Sequence, residues 1–344
     1  MSETAASAPA LVGALPSEAS PWGLARRRLL RNRLALFMLG VFVAIVLLSL
    51  AAPLYAHDIA HTDPFRSHLN GTTIVNGKKV QVMPPSTGGL GIGTTPIGPT
   101  WDLHHYFLGA DNQGRDVAAR LLYGGRNSLL IGFFAALMTC LAGTLIGVVA
   151  GFFGGIADGV ISRVLEIVWA FPVYLFAICL SVILLNQDVV LGPVRIGSGS
   201  IALPIVIIGV VYIPYVARPV RGEVLSLRQR EFVEAAIGLG ASRTRLLRKD
   251  ILPNVITTVI VLFPLVMAIA MLTEAALSFL SIGVQPPDAS WGTIIQDGND
   301  LIRTRPTVAL APGLAIALTV LALNVLGDGI RDALDPRAKV RGIR

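Results

Sequence analysis

Six apolar blocks, at about 34–55, 128–150, 164–185, 201–217, 255–276 and 308–327, constrain this chain more than any other feature. Each approaches the roughly 20 residues that a helix needs to cross a bilayer core of about 30 Å. They mostly lack the polar stripe that marks a helix on the surface of a soluble protein. Composition agrees: 53% of residues are hydrophobic and 14% charged, where soluble domains carry about a quarter charged. The expected fold class is therefore an all-α integral membrane protein with six transmembrane helices.

The net charge of +7 invites a nucleic-acid reading, but the placement of the basic residues opposes it. With the N-terminus cytoplasmic and the spans alternating, 19 of the 28 Lys and Arg fall in cytoplasmic segments. That is the positive-inside distribution. It places both termini in the cytoplasm, makes membrane lipid the partner of the basic residues, and leaves no role for nucleic acid. The first block follows Arg26, Arg27, Arg28, Arg31 and Arg33, yet it is longer than the 7–15 apolar residues of a cleaved signal and begins too late. It reads as an uncleaved anchor. Ser20 and Pro21 form a helix-start signal, and a short basic helix on the inner membrane surface is expected there. The small, polar first twenty residues are expected to be disordered. Cys140 and Cys179 both lie in predicted spans, so they are read as small buried apolar residues with no disulfide.

The segment 56–126 between the first two blocks is expected outside the membrane. Pro84, Pro85, Pro96, Pro99 and the glycine-rich run from Gly88 to Gly98 predict irregular turns without a packed domain. Within it, two β-leaning runs from Thr73 to Val82 flank Asn76-Gly77, which predicts a small β-hairpin. All five histidines, His57, His61, His68, His104 and His105, sit in this segment. His57 and His61 have the four-residue spacing of ligands on one helix face, but no Cys–His or carboxylate framework accompanies them, and no metal is expected. Gly143, Gly147, Gly151, Gly154 and Gly155 place several glycines on one helix face, a pattern for close helix packing. Ionisable groups near the spans are few. Glu166 and Glu274 are the candidates for a translocation pathway, because a carboxylate at membrane depth tends to face a cavity or a partner.

The most ordered polar segment runs from Arg218 to Pro253. Helix formers lead through Glu234, Ala235 and Ala236; Gly240 stops the helix; Ser242 is placed to cap a second one, Arg243 to Lys249; and Pro253 marks entry to the fifth span. Two short helices at an angle are expected, with small alanines allowing close approach of another surface. The pattern Glu234-Ala235-Ala236, Gly240, Leu252-Pro253 resembles the cytoplasmic EAA loop by which permeases of ATP-driven importers dock on their ATPases. Similar motifs run along nearly the whole chain: Leu108 to Val117, Arg120 to Gly124, Ala170-Phe171-Pro172, Glu274 to Leu280, Val284 to Pro287, Ser290-Trp291-Gly292, and Leu326 to Arg337. In these the chain resembles the C-type permease subunit of dipeptide/oligopeptide (binding-protein-dependent) importers.

That resemblance implies the type I ABC importer permease fold in a prokaryotic inner (plasma) membrane. It also implies a homologous second permease subunit, two cytoplasmic ATPase subunits and an extracytoplasmic solute-binding protein. Coupling residues would be Glu234, Ala235, Ala236, Gly240, Leu252 and Pro253, with Arg221, Glu223, Arg228 and Arg230 in support. Two departures stand out: Asp250 occupies a place that is apolar in the general motif, and residues 67–100 are longer than the family leads one to expect.

The chain divides into a tail with a basic amphipathic segment (1–33), an anchor (34–55), the outer segment (56–126), a five-helix core (127–327) containing the coupling loop 218–253, and a C-terminal tail (328–344). The phosphate-cradling Gly-x-x-x-x-Gly-Lys-Ser/Thr is absent, so no cofactor is expected in this chain and ATP belongs to partner subunits. An enzyme is disfavoured, since no histidine lies in a span and the membrane carboxylates are isolated. An ion-driven transporter or channel would concentrate polar groups at mid-membrane, which these spans do not. Nickel chelates, glutathione-like peptides and short sugars are the alternative cargoes to di- and oligopeptides.

Overall fold

The computed structural model describes residues 21–75, 77–86, 93–186, 188–191, 194–197 and 199–334. The expectations for the first twenty residues, for Ser20 as a cap and for the tail beyond Leu334 lie outside them. Helix α1 (Pro21–Leu29) is short and basic. Asn32 caps α2 (Arg33–Leu50) by accepting from the Ala35 amide. A single turn, α3 (Ala52–Leu54), runs into a wider π-type turn at Tyr55–Ile59. The outer segment follows, with the antiparallel strands β1 (Thr72–Val75) and β2 (Lys78–Gln81) paired in the register Thr73↔Val80. This is the hairpin expected from Asn76-Gly77, and Gly77 has φ +75°.

Four helices are each long and apolar enough to cross a membrane alone: α2, α4 (Val117–Phe153), the continuous helix Arg243–Phe279, and α13 (Thr307–Leu334). The third and fourth apolar blocks are not straight spans. The third splits into α5 (Gly155–Ala170) and α6 (Val173–Leu185), bent by 90° at Phe171-Pro172. Pro172 offers no amide to continue the ladder, and Phe171 before it takes an extended backbone, ψ 138°. A second hairpin, β3 (Val189–Leu191) with β4 (Val194–Ile196), follows; nothing in the sequence reading anticipated it. The fourth block divides into α7 (Ala202–Val211) and α8 (Ile213–Arg228), bent by 41°. The remaining elements are α9 (Glu231–Gly238), α10 (Arg243–Arg245), α11 (Leu252–Phe279) and α12 (Trp291–Asn299).

Helix α4 is the central post. At 37 residues it is about 55 Å long at 1.5 Å per residue, well beyond the hydrocarbon thickness. It packs along α8 and α11, and α13 closes the other side against α11, α12 and α2. The glycine ladder explains the α4–α8 contact. Gly143 faces Val216, Gly147 faces Ala217 and Val220, and Gly151 faces Val224. A Cβ on Gly147 would stand 2.6 Å from the Ala217 carbonyl oxygen, so only glycine permits this approach. The large apolar side chains left exposed, among them Leu141, Leu145, Ile156, Leu175 and Leu314, cover the outside of the bundle.

The outer segment is better packed than its composition suggests. Val82, Met83, Tyr106 and Ala110 form a small buried cluster. Backbone bonds stitch Val82 to Gly71, Ile97 to Val82 and Ala110 to Ile97. The reason is a turn held by its two carboxylates. The Asp111 carboxylate accepts from the amides of Gln113 and Arg115 and from the Arg115 guanidinium. Asp116 caps α4 by accepting from Ala118 and Ala119, although burial lifts its carboxyl to about 6. Arg115 and Arg120 then both donate to Asp297 of α12, at 2.8 and 2.9 Å. Two guanidiniums and two carboxylates thus clamp the outer turn to α12. His61 leaves the π turn with φ +48°, so His57 and His61 do not share a helix face. Cys140 is buried as expected, but Cys179 is exposed on α6.

Two stability outcomes follow. Removing one partner of a buried ion pair costs about 3–5 kcal/mol, so Asp297→Ala should markedly lower the thermal midpoint of the detergent-purified protein. Gly147→Leu should cost about 1–3 kcal/mol by overpacking, whereas Gly159→Leu, where a Cβ meets nothing within 4 Å, should leave the midpoint near wild type. Equal midpoints for the two glycine variants would contradict the seam.

Candidate functional site

The distinctive polar segment folds into an elbow at the end of α8. The helix stops at Arg228, Gln229 and Arg230 turn the chain, and α9 starts at Glu231 with Arg230 extended before it (φ −85°, ψ 143°). Glu231 and Glu234 fall in the first turn of α9, where acidic side chains complement the helix dipole. Its end is a Schellman turn. The Gly240 amide donates to the Ile237 carbonyl, the Ala241 amide to that of Ala236, and Gly240 takes φ +78°. Ser242 then accepts from the Arg245 amide.

The sequence predicted a free second short helix, and there the structure differs. From Arg243 the helix runs without a break through a π-type turn, Leu246–Ile251, into α11. Leu246 and Ile251 are buried, which anchors this turn to the body. Pro253 has no amide to give, and the widened turn lies directly before it. One short helix, α9, is therefore presented, between two long ones.

The coupling candidates sort into two groups. Glu234, Ala235 and Gly240 are exposed, Ala236 and Leu252 are half-buried, and Pro253 is exposed. The Glu234 carboxylate makes no hydrogen bond or ion pair among the described residues. Beside these lie Phe232, Ile237 and Leu239, which the sequence reading did not single out. All three are exposed, Leu239 by 89%, while Val233 alone turns inward at 2%. An eight-residue helix that buries one apolar side chain and shows two, with a third at the residue that follows it, is an unfinished interface. Large apolar residues at 232, 237 and 239 within an otherwise polar segment were the available signal.

Arg221 and Arg228 face the chain itself. Arg221 forks onto Asp158 of α5, with Nε 2.5 Å and Nη2 2.7 Å from the two carboxylate oxygens. Arg228 donates to the Gly151 carbonyl near the end of α4, at 3.1 Å. They tie the base of the elbow to α4 and α5. The side chains of Glu223 and Arg230 make no such bond among the described residues.

The two pathway candidates are placed apart. Glu166 pairs with Arg163 on exposed helix surface, at 2.9 Å. Glu274 is fully buried and accepts from Ser128 at 2.8 Å and from Ser278 at 2.6 Å. Ser128 in turn accepts from the Trp291 amide, so Glu274 joins α4, α11 and α12 and does not line an open space in this conformation. Among the described residues no group of three or more His, Cys, Asp and Glu is arranged to hold a metal ion.

Residues 143–340, which contain α8, the elbow and the last two long helices, match the family model described as binding-protein-dependent transport system inner membrane component. The chain belongs to that family. Residues 20–70 match the N-terminal transmembrane domain of oligopeptide transport permease C. The dipeptide transport system permease protein DppC of Alkalihalophilus pseudofirmus is 36% identical over 93% of this chain and 91% of its own length. The oligopeptide transport system permease protein OppC of Bacillus subtilis is 35% identical over 93% and 91%. The glutathione transport system permease protein GsiD of Pectobacterium atrosepticum is 40% identical over 68% and 73%. An inward-facing structure of the MetNI methionine ABC transporter superposes with a TM-score of 0.51 at 18% identity, covering 63% of this chain and 96% of the matched chain. The fold is that of an ABC importer permease, and the chain is an integral membrane transport subunit and not an enzyme. An ion-driven carrier or channel is not favoured.

The inward-facing arginines yield one expectation. Arg228→Ala removes a bond at the base of the elbow without touching its exposed face. Uptake by the assembled transporter should fall several-fold, with the ATPase partner still co-purifying at wild-type stoichiometry; loss of the partner would instead place Arg228 in the interface.

Proposed function

We propose that this chain forms half of the translocation path of an importer for di- and oligopeptides. A homologous second subunit supplies the other half, two cytoplasmic ATPases bind the ATP, and an extracytoplasmic solute-binding protein delivers cargo. Both termini lie in the cytoplasm, and the membrane is the inner membrane of a prokaryote. The observation that carries this reading is α9. It is a short helix with Glu234 unpaired and Phe232, Ile237 and Leu239 bare, fixed to the end of a helix that is itself locked to the central post. ATPase closure would push this helix, and the helix behind it would carry the motion into the membrane as a rigid-body shift between two states. The peptide cargo rests on the dipeptide and oligopeptide permeases that match nearly the whole chain.

A second cargo reading, glutathione, is favoured by the 40% identity to a glutathione permease. Competition settles the choice: radiolabelled dipeptide uptake in the native host should be suppressed by excess unlabelled peptide and hardly by glutathione, and the reverse order would select glutathione.

The coupling role is tested at Gly240. A Cβ there meets nothing of this chain within 4 Å, and the positive φ costs roughly 1–2 kcal/mol. Gly240→Trp should therefore insert and fold, and Glu234→Lys likewise, while each abolishes uptake and weakens ATPase binding. Wild-type uptake in both variants would contradict the proposal.

A further inference from the structure

Two broken spans meet at an aromatic patch that the coupling role does not use. The 90° break between α5 and α6 and the 41° break between α7 and α8 are flanked by Trp169, Phe171 and Tyr174 on one side and by Tyr212, Tyr215 and Arg218 on the other. Trp169 and Tyr215 lie with ring centroids 6.2 Å apart, and Tyr212 meets Tyr215 edge-on at 6.5 Å. Tyr212 is pinned from behind by a 2.8 Å hydrogen bond between its hydroxyl and that of Thr273 on α11. The Arg218 guanidinium sits 5.3 Å from the Trp169 ring centroid. Three of the six tyrosines of the chain gather here.

Arg218 is the unusual member. It is half-buried, and among the described residues no carboxylate lies within ion-pair distance of it; the π-face of Trp169 lies against it instead. Three residues on, Arg221 shows what the chain does when it wants a guanidinium neutralised: it supplies Asp158 in a two-pronged pair. A half-buried guanidinium without a carboxylate has donors to spare, and its planar fork matches a carboxylate. Aromatic faces beside it give apolar contact that does not depend on side-chain identity. Breaks in membrane helices are where transporters place such groups. Trp169 is 41% and Tyr174 48% exposed, so the patch opens to the outside of this chain.

From this arrangement we infer that Arg218, stacked on Trp169 and backed by Tyr215, binds the C-terminal carboxylate of a peptide as it passes through the permease. The inference rests on the proposed peptide-importer function. The rival source of an anion is a lipid phosphate, reached by an arginine that snorkels to the interface within an aromatic belt. A lysine serves that purpose equally well but cannot present two parallel donors to a carboxylate.

The test is uptake by the native host of one labelled dipeptide in two forms, free acid and C-terminal amide, with wild type, Arg218→Lys and Arg218→Gln on the chromosome. Both variants should lower free-acid uptake about ten-fold relative to wild type and amide uptake less than two-fold, with membrane insertion and ATPase co-purification unchanged. Full activity of Arg218→Lys, or equal loss for both peptides, would overturn the site and favour lipid anchoring. A peptide carrying a photoreactive group at its C-terminus gives a second readout that does not depend on amide transport. Labelling should map to the Trp169–Arg218 neighbourhood, and labelling confined elsewhere would overturn the site. If wild type carries neither peptide form, the peptide reading itself fails; if it carries the free acid and the variants match it, only the carboxylate site fails.

Discussion

The closeness of α4 to α8 is the constraint on which the rest of the structure depends. Glycines at 143, 147 and 151 let the α8 backbone approach the post so nearly that Val216, Val220 and Val224 fill the space where side chains would stand. In a bilayer the hydrophobic effect does little to bring helices together, and association depends on packing and on polar contacts. The seam supplies the first. Arg228 on the Gly151 carbonyl and Arg221 on Asp158 supply the second at the end nearest the elbow. The elbow is thus mounted on a closely packed two-helix unit, the support that the proposed coupling role requires.

At the other end of α4 a different device does the same work. The outer turn at Asp111–Asp116 caps the helix, and its two arginines bind α12 through Asp297. Glu274, a little deeper, joins α4, α11 and the start of α12 through Ser128 and Ser278. The post is therefore held at both ends by charged or hydrogen-bonded groups and along its length by glycine. Least buried of the longer helices is α5, from which Ile156, Val160, Val164 and Ile167 project, held to α8 through Asp158 and Arg221.

Features written in local chemistry were legible from sequence. Asn76-Gly77 between β-formers gave the hairpin, glycine spacing gave a face for close helix packing though not its partner α8, and Gly240 and Ser242 gave the helix stop and the next cap. Features made by chain-distant partners were not. Arg115 and Asp297 are 182 positions apart, and neither shows in isolation that it is half of a clamp. Arg221 and Arg228 read from sequence as supports of the coupling loop, and their partners Asp158 and Gly151 are 63 and 77 positions away. The break at Pro172 lay in plain view, but proline alone does not decide: Pro219, Pro264 and Pro312 sit inside helices that continue. Hydropathy averages over such a bend because both arms are apolar.

The most direct test of the account is a crosslink from the elbow. With the exposed Cys179 replaced by alanine, a single cysteine at Leu239, the most exposed apolar residue of the elbow, is introduced into the chain in its native host, and the membranes are treated with a short thiol-to-amine crosslinker. The account predicts one dominant adduct joining this chain to the ATPase subunit, with a yield that changes when ATP is trapped. An elbow that forms no adduct with the ATPase, while a cysteine at an exposed site such as Ile156 does, would contradict it.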